Sequence, residues 1–121
     1  MEAHQTPIYI QIAEWLENQI IEDELIADGK VYSQYQLAEI FNVNPATAGK
    51  GITCLLEDHL LYKKRGLGMF VQTDAKEKIM QKRRNQLLES KLEELVAEAK
   101  RLDVEKEQLI AMLHQLYKED M

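Results

Sequence analysis

The sequence predicts a mostly α-helical protein with one small β-hairpin: a winged helix-turn-helix domain over residues 1–73 and a two-helix C-terminal tail over 74–121. Three observations carry that class. Apolar residues recur at three- and four-residue spacing through most of the chain, the period of helices with one buried face. Asn44-Pro45 pairs an N-cap residue with proline at the first helical position, soon after another short helical stretch. Gly66-Leu67-Gly68 then separates two short extended runs, and beyond residue 73 there is neither Gly nor Pro.

The elements follow in order. Pro7 lacks the N–H that a first helical turn would leave unpaired, so it suits a helix start. From it Tyr9, Ile12, Leu16 and Ile20 form one stripe, with Ile8, Ala13 and Trp15 beside it, and the spacing predicts a helix over 7–23. Asp28-Gly29 marks a turn. Ser33 reads as an N-cap, and Leu37, Ala38 and Phe41 make the apolar side of a short helix over 34–41. Asn42-Val43 is a tight connection, after which a third helix runs over 45–58 with Ala48, Ile52, Leu55 and Leu56 facing inward. Two short helices joined this way form a helix-turn-helix. After His59 the period changes: residues 60–65 and 69–72 flank the glycine turn and read as a hairpin, the wing.

In the tail, Leu88, Leu92, Leu95, Ala99 and Leu102 alternate steps of four and three, the pattern of a helical seam. A helix over 75–101 is about 40 Å long. The phase slips at Leu102-Asp103-Val104. Leu109, Leu113 and Leu116, with Ile110 and Tyr117 alongside, define a second helix over 105–118, with Glu105 and Glu107 near its positive N-terminus. Two helices alone bury little surface, so the seam is expected to meet a second copy of the chain in a homodimer.

A formal charge of −6 argues weakly against nucleic acid. Its distribution argues differently. Residues 1–73 hold five basic and ten acidic residues, yet four of the five (Lys50, Lys63, Lys64, Arg65) fall on the third helix and the hairpin, while the acidic excess lies mainly on the first helix and the turn after it. The expected basic footprint is small and focused. No apolar run approaches the roughly 18–20 residues of a membrane span. Residues 1–5 show no secretory pattern, and the one cysteine, Cys54, can form no internal disulfide, so a cytoplasmic protein without a membrane partner is expected. His4, His59 and His114 lie far apart, and there is no phosphate loop, zinc spacing or nucleophile motif. No cofactor, metal or enzymatic activity is expected.

Pro7-Ile8-Tyr9-Ile10-Gln11-Ile12, Ser33 with Leu37-Ala38, Asn44-Pro45-Ala46-Thr47 and Arg65-Gly66-Leu67-Gly68-Met69-Phe70-Val71 occur together, in order, across about residues 7–72. In this the chain resembles the gluconate-operon-repressor (GntR) family of bacterial transcription regulators. Its short tail resembles the YtrA-like branch, whose C-terminal part is a dimerisation hairpin; 48 residues cannot supply the effector domain of larger branches. The resemblance implies a dimeric repressor that binds double-stranded operator DNA and controls a neighbouring transporter operon. There are departures. Tyr32 and Tyr35 stand where the family commonly has Pro and a DNA-touching Arg. Gly49 and Gly51 replace a basic or polar residue and Ala. Asp23, Asp28 and His59 replace helix-ending glycines, although Asp and His are enriched among non-glycine residues with positive φ.

In a helix-turn-helix the N-terminal half of the second helix faces the major groove, which selects Asn44, Ala46, Thr47 and Lys50. Thr47 offers a hydroxyl or a methyl to a base edge, and Lys50 reaches guanine acceptors or a phosphate. Ser33 and Tyr35 would lie near the backbone. Lys63, Lys64 and Arg65, with Gly66 and Gly68, form a wing on phosphates or in the minor groove. The blander alternatives are that Asn44 is only a cap, Lys50 only a solvated lysine, and the hairpin cations only guards of an exposed edge. Lys76, Lys78, Lys82, Arg83 and Arg84 read as a solvated face or as pairing with Glu residues of the partner chain rather than as DNA contacts. Gly51 is expected to pack against the preceding helix, and Gly49 either approaches DNA closely or is drift. Trp15 is expected against the tail or the partner chain, Cys54 as a small packed residue, and His114 on a helix surface or interface. The alternative function is a winged-helix interaction module with weakened DNA affinity, motivated by the acidic balance, Tyr35 and Gly49. The sequence identifies no small-molecule effector.

Overall fold

The computed structural model describes residues 6–119; the stretch read above for a secretory pattern, with His4, lies outside them. Helix α1 (Ile8–Ile21) starts behind Pro7, whose carbonyl accepts the Ile10 and Gln11 N–H groups at 3.0 and 3.2 Å. Helix α2 (Gln34–Phe41) carries a reciprocal capping box. The Gln36 N–H donates to Ser33 Oγ at 3.1 Å and the Ser33 N–H donates to Gln36 Oε1 at 2.8 Å, so two otherwise orphaned donors are satisfied. Helix α3 (Pro45–Glu57) is capped by Asn44 Oδ1, which accepts the Ala46 N–H at 2.7 Å.

The ends of these helices follow one device. Asp23, Asn42 and His59 take left-handed φ of 64°, 55° and 60°. The next N–H bonds back into the helix in the manner of a Schellman turn: Glu24 to the Gln19 carbonyl at 2.8 Å, Val43 to that of Ala38 at 2.9 Å, and Leu60 to that of Leu55 at 2.9 Å. Asp28 is also left-handed, with φ 63°. The turns usually made with glycine are therefore kept by Asp, Asn and His.

Strands β1 (Leu61–Lys64) and β2 (Gly68–Val71) pair antiparallel in the register Leu61 to Val71, Tyr62 to Phe70, Lys63 to Met69 and Lys64 to Gly68. Leu61 and Val71 turn into the core. A third, one-residue strand at Lys30 bridges Phe70, fixed by the Val31 N–H on the Met69 carbonyl at 2.8 Å and the Asp28 N–H on that of Val71 at 2.7 Å. The core joins Ile12, Leu16 and Ile20 of α1, Leu37 of α2, and Ala48, Ile52 and Leu55 of α3.

Three packing expectations are corrected. A Cβ on Gly51 would sit 2.9 Å from Ile12 Cγ2 and 3.1 Å from the Tyr9 carbonyl oxygen, so the close approach is of α3 to α1, not to the preceding helix. Trp15, expected against the tail or a partner, has its ring neighbours inside this unit: Tyr32 at 5.6 Å and, edge on, Phe41 at 5.3 Å. Burial also continues past the hairpin, because Ala75 and Ile79 of α4 (Ala75–Arg83) are fully enclosed in the same core. The compact unit therefore extends through Gln81, beyond the boundary at 73 drawn from sequence.

The second unit begins at Lys82. Arg84–Leu88 form a π-helical turn where an unbroken α-helix was expected, and no residue in it is buried, so no packing holds it to α-helical register. Helices α5 (Glu89–Arg101) and α6 (Lys106–Glu119) follow. The break between them is a fourth Schellman-like turn, with Asp103 at φ 60° and the Val104 N–H on the Ala99 carbonyl at 2.8 Å, at the point where the apolar phase slips. Leu88, Leu92, Leu95, Leu102, Leu113 and Leu116 are exposed within the single chain, as are Val96, Ile110 and Tyr117; Leu109 is half-buried. Ala99 differs from the rest of the seam, since its own chain buries it.

Candidate nucleic-acid interface

Asn44, Ala46 and Lys50 are exposed and Thr47 is half-covered along the first turns of α3, whereas Ala48, Gly51 and Ile52 of the same helix are buried. The helix thus divides into a face that anchors it and a face that presents short and cationic side chains. The Asn44 side-chain oxygen is engaged by the cap, which leaves its amide nitrogen as the group able to reach a ligand. Lys50 lies over Tyr9, its Nζ 5.6 Å from the ring centroid, a cation–π contact that ties this exposed lysine to α1. Gly49 is half-covered. A Cβ there would meet Gln34 Oε1 at 3.1 Å, the movable end of a side chain, so packing alone does not require glycine at this position.

Ser33 and Tyr35 sit at the N-terminus of α2, both exposed, Tyr35 at 69%. With Gln34, Gly49, Thr53, Gly68 and Met69 they line a cleft of about 400 Å³ between α2, α3 and the wing. Gly66 (φ 77°) and Gly68 (φ 115°) turn the hairpin through a backbone region that favours glycine. Lys63, Lys64 and Arg65 are exposed. The Lys64 Nζ lies 4.5 Å from the Phe70 ring centroid, and Phe70 stacks on Tyr62 at 5.9 Å. Tyr62 donates its hydroxyl to Asp28 Oδ1 at 2.6 Å, and that bond pushes the phenol above its ordinary pKa, with desolvation and the carboxylate charge adding.

The second basic cluster does not join this surface at the two positions nearest the hairpin. Lys76 pairs with Asp23 at 3.0 Å, and Lys78 pairs with Asp74 at 3.4 Å while reaching the His59 carbonyl at 3.4 Å. Sequence reasoning missed Gln36, Tyr9 and Lys30. Gln36 was legible, three residues after Ser33 in a capping-box pattern. Tyr9 and Lys30 were not, because their neighbours on α3 and β2 are distant in sequence. Among the described residues no group of His, Cys, Asp and Glu could hold a metal, and no helix is long and apolar enough to cross a membrane.

The architecture has relatives. A GntR-family transcriptional regulator from Listeria monocytogenes is 30% identical with a TM-score of 0.73, the match covering 91% of this chain and 95% of that one. The DNA-binding domain of AraR, solved in complex with operator ORX1, is 30% identical with a TM-score of 0.54 over 59% of this chain and 86% of that one. Among curated proteins, the transcriptional repressor NagR of Bacillus subtilis is 36% identical over 75 residues, 62% of this chain. The match spans only 31% of NagR, so the chain corresponds to about a third of that relative. No family model matches the chain.

Proposed function

The chain belongs to the GntR family of transcriptional regulators, and on that premise we propose that it is a cytoplasmic, dimeric, sequence-specific DNA-binding repressor of a transporter-type operon. The observation that carries the reading is the joint presentation of Asn44, Ala46, Thr47 and Lys50 on a capped helix beside a wing bearing Lys63, Lys64 and Arg65. Lys50 and Thr47 read base edges in the major groove; Ser33, Tyr35 and the wing, with Gly66 and Gly68, position the protein on the backbone. That the DNA-binding domain of AraR was solved on its operator supports this assignment.

The tail is the dimerisation element, as in the YtrA-like branch. An open strip on α5, lined by Leu92, Val96 and Ala97 together with Glu89, Glu93 and Lys100, combines apolar surface with charges of both signs. Such a strip suits a second copy related by a two-fold axis. Leu88, Leu95, Leu102, Leu109, Leu113 and Leu116 extend the apolar surface, and Ala99 supports it from within. Two recognition helices related by that axis select an inverted repeat, and occupation of a promoter represses transcription.

A gel-shift titration of the dimer against the DNA upstream of its own operon tests the reading. A saturable shift, resistant to random competitor, is expected. No shift at low salt from a dimeric, folded sample would instead favour an interaction module.

A further inference from the structure

The fifth basic residue of the first 73, Lys30, belongs to no helix and to neither hairpin strand, yet the fold brings it to the wing. Its backbone bridges Phe70, so its side chain leaves the sheet on the same face as Phe70 and, two residues back, Gly68. The distances agree: Lys30 Cε lies 3.1 Å from where a Gly68 Cβ would stand. Lys64 pairs with Gly68 from the other side and lies over the Phe70 ring, on that same face. Two lysines thus flank a residue with no side chain, on a strip of bare backbone. Lys30 is exposed, and among the described residues no carboxylate pairs with it. The acid nearest in sequence, Asp28, accepts the Tyr62 hydroxyl, two register positions from Gly68 along the hairpin.

We propose that Lys30 and Lys64 form a seat over Gly68 for one backbone phosphate of the bound DNA. The inference rests on the DNA-binding reading above and adds a contact outside the recognition helix and hairpin. Two ammonium groups on opposite sides of a phosphate supply charge without planar selectivity, so the seat strengthens binding to every sequence. A side chain at position 68 would fill it, a reason for glycine there beyond its φ of 115°.

The test is fluorescence anisotropy of the full chain on two duplexes, the upstream DNA of its own operon and a random sequence, over a salt series. Lys30→Gln should weaken both by the same factor and make the plot of log affinity against log salt shallower by about one. Lys30→Arg should keep the wild-type slope. Lys30→Gln combined with Lys64→Gln should remove more than either alone, with the thermal melt unchanged in all variants. A wild-type slope for Lys30→Gln, or a double variant no worse than Lys64→Gln, would overturn the seat while leaving the regulator reading intact. Failure of the wild-type protein to bind either duplex would overturn both.

Discussion

In the first unit the large apolar side chains face one another: Ile12, Leu16, Leu37 and Ile79 have no exposed surface. In the tail, Leu92, Leu95, Leu113 and Leu116 keep 46–62% of theirs. Both regions show the same helical periodicity in sequence. The difference is geometric. Around α1, three other helices and the hairpin close a core from several directions, whereas α5 and α6 find within their own unit no further layer to bury a stripe against. A periodic stripe therefore says that a face requires cover; whether the chain covers it itself depends on how many elements surround it.

Breaking the tail's face should produce the largest effect. Leu92→Asp with Leu95→Asp should give monomers in sedimentation, and loss of two-site engagement should weaken operator binding by about 100-fold or more. The winged unit, whose core does not use these residues, should keep its cooperative melt. A dimer that survives would place the interface elsewhere.

Within the first unit, the two glycines of α3 sharpen the contrast between anchoring face and presenting face. Gly51→Ala drives a Cβ against Ile12 and the Tyr9 carbonyl and should destabilise by about 1–3 kcal/mol in denaturant melts. Gly49→Ala meets only the end of Gln34 and should be neutral or stabilising by up to about 1 kcal/mol from helix propensity. If Gly49→Ala is stable yet binds DNA more weakly, close backbone approach to DNA explains that glycine; unchanged binding leaves it as drift. Lys50→Ala should cost about 1–3 kcal/mol on the operator and little on random sequence, and equal losses on both would reassign Lys50 to a phosphate.

The smallest expected effects come from relieving a single left-handed turn in each region. His59→Gly and Asp103→Gly remove the Cβ penalty of positive φ and should each stabilise by about 1 kcal/mol or less. His59→Gly should raise the melting temperature of the winged unit, and Asp103→Gly should raise the tail's helical content. Lower stability from either would mean that the side chain makes a contact outweighing its strain.

These elements also mark what the sequence discloses. The caps of α2 and α3, the hairpin turn and the turn at Asp103 were legible because each depends on neighbours within a few residues: Ser33 with Gln36, Asn44 with Ala46, Gly66 with Gly68, Asp103 with Ala99. The left-handed roles of Asp23, Asp28 and His59 were legible only through the resemblance, as Asp and His standing where the family has helix-ending glycines. Partners distant in the chain were not. Trp15 meets Tyr32 and Phe41, Gly51 meets Ile12, Lys50 meets Tyr9 and Lys30 meets Phe70, and no local pattern encodes those pairings. The continuation of the first unit to Gln81 was hidden because α4 carries only Ala75 and Ile79 as buried residues, too few to mark an apolar stripe. The π-helical turn at Arg84–Leu88 had no Pro or Gly to announce it.

That two copies place α3 and the wing on operator DNA is tested most directly by hydroxyl-radical footprinting of the dimer on the region upstream of its own operon. Two symmetry-related protected patches are expected, with half-site centres about 10 bp apart or a multiple of that, and loss of protection at both in the Lys50→Ala protein. Protection of a single unrepeated site, or a footprint unchanged by Lys50→Ala, would contradict it.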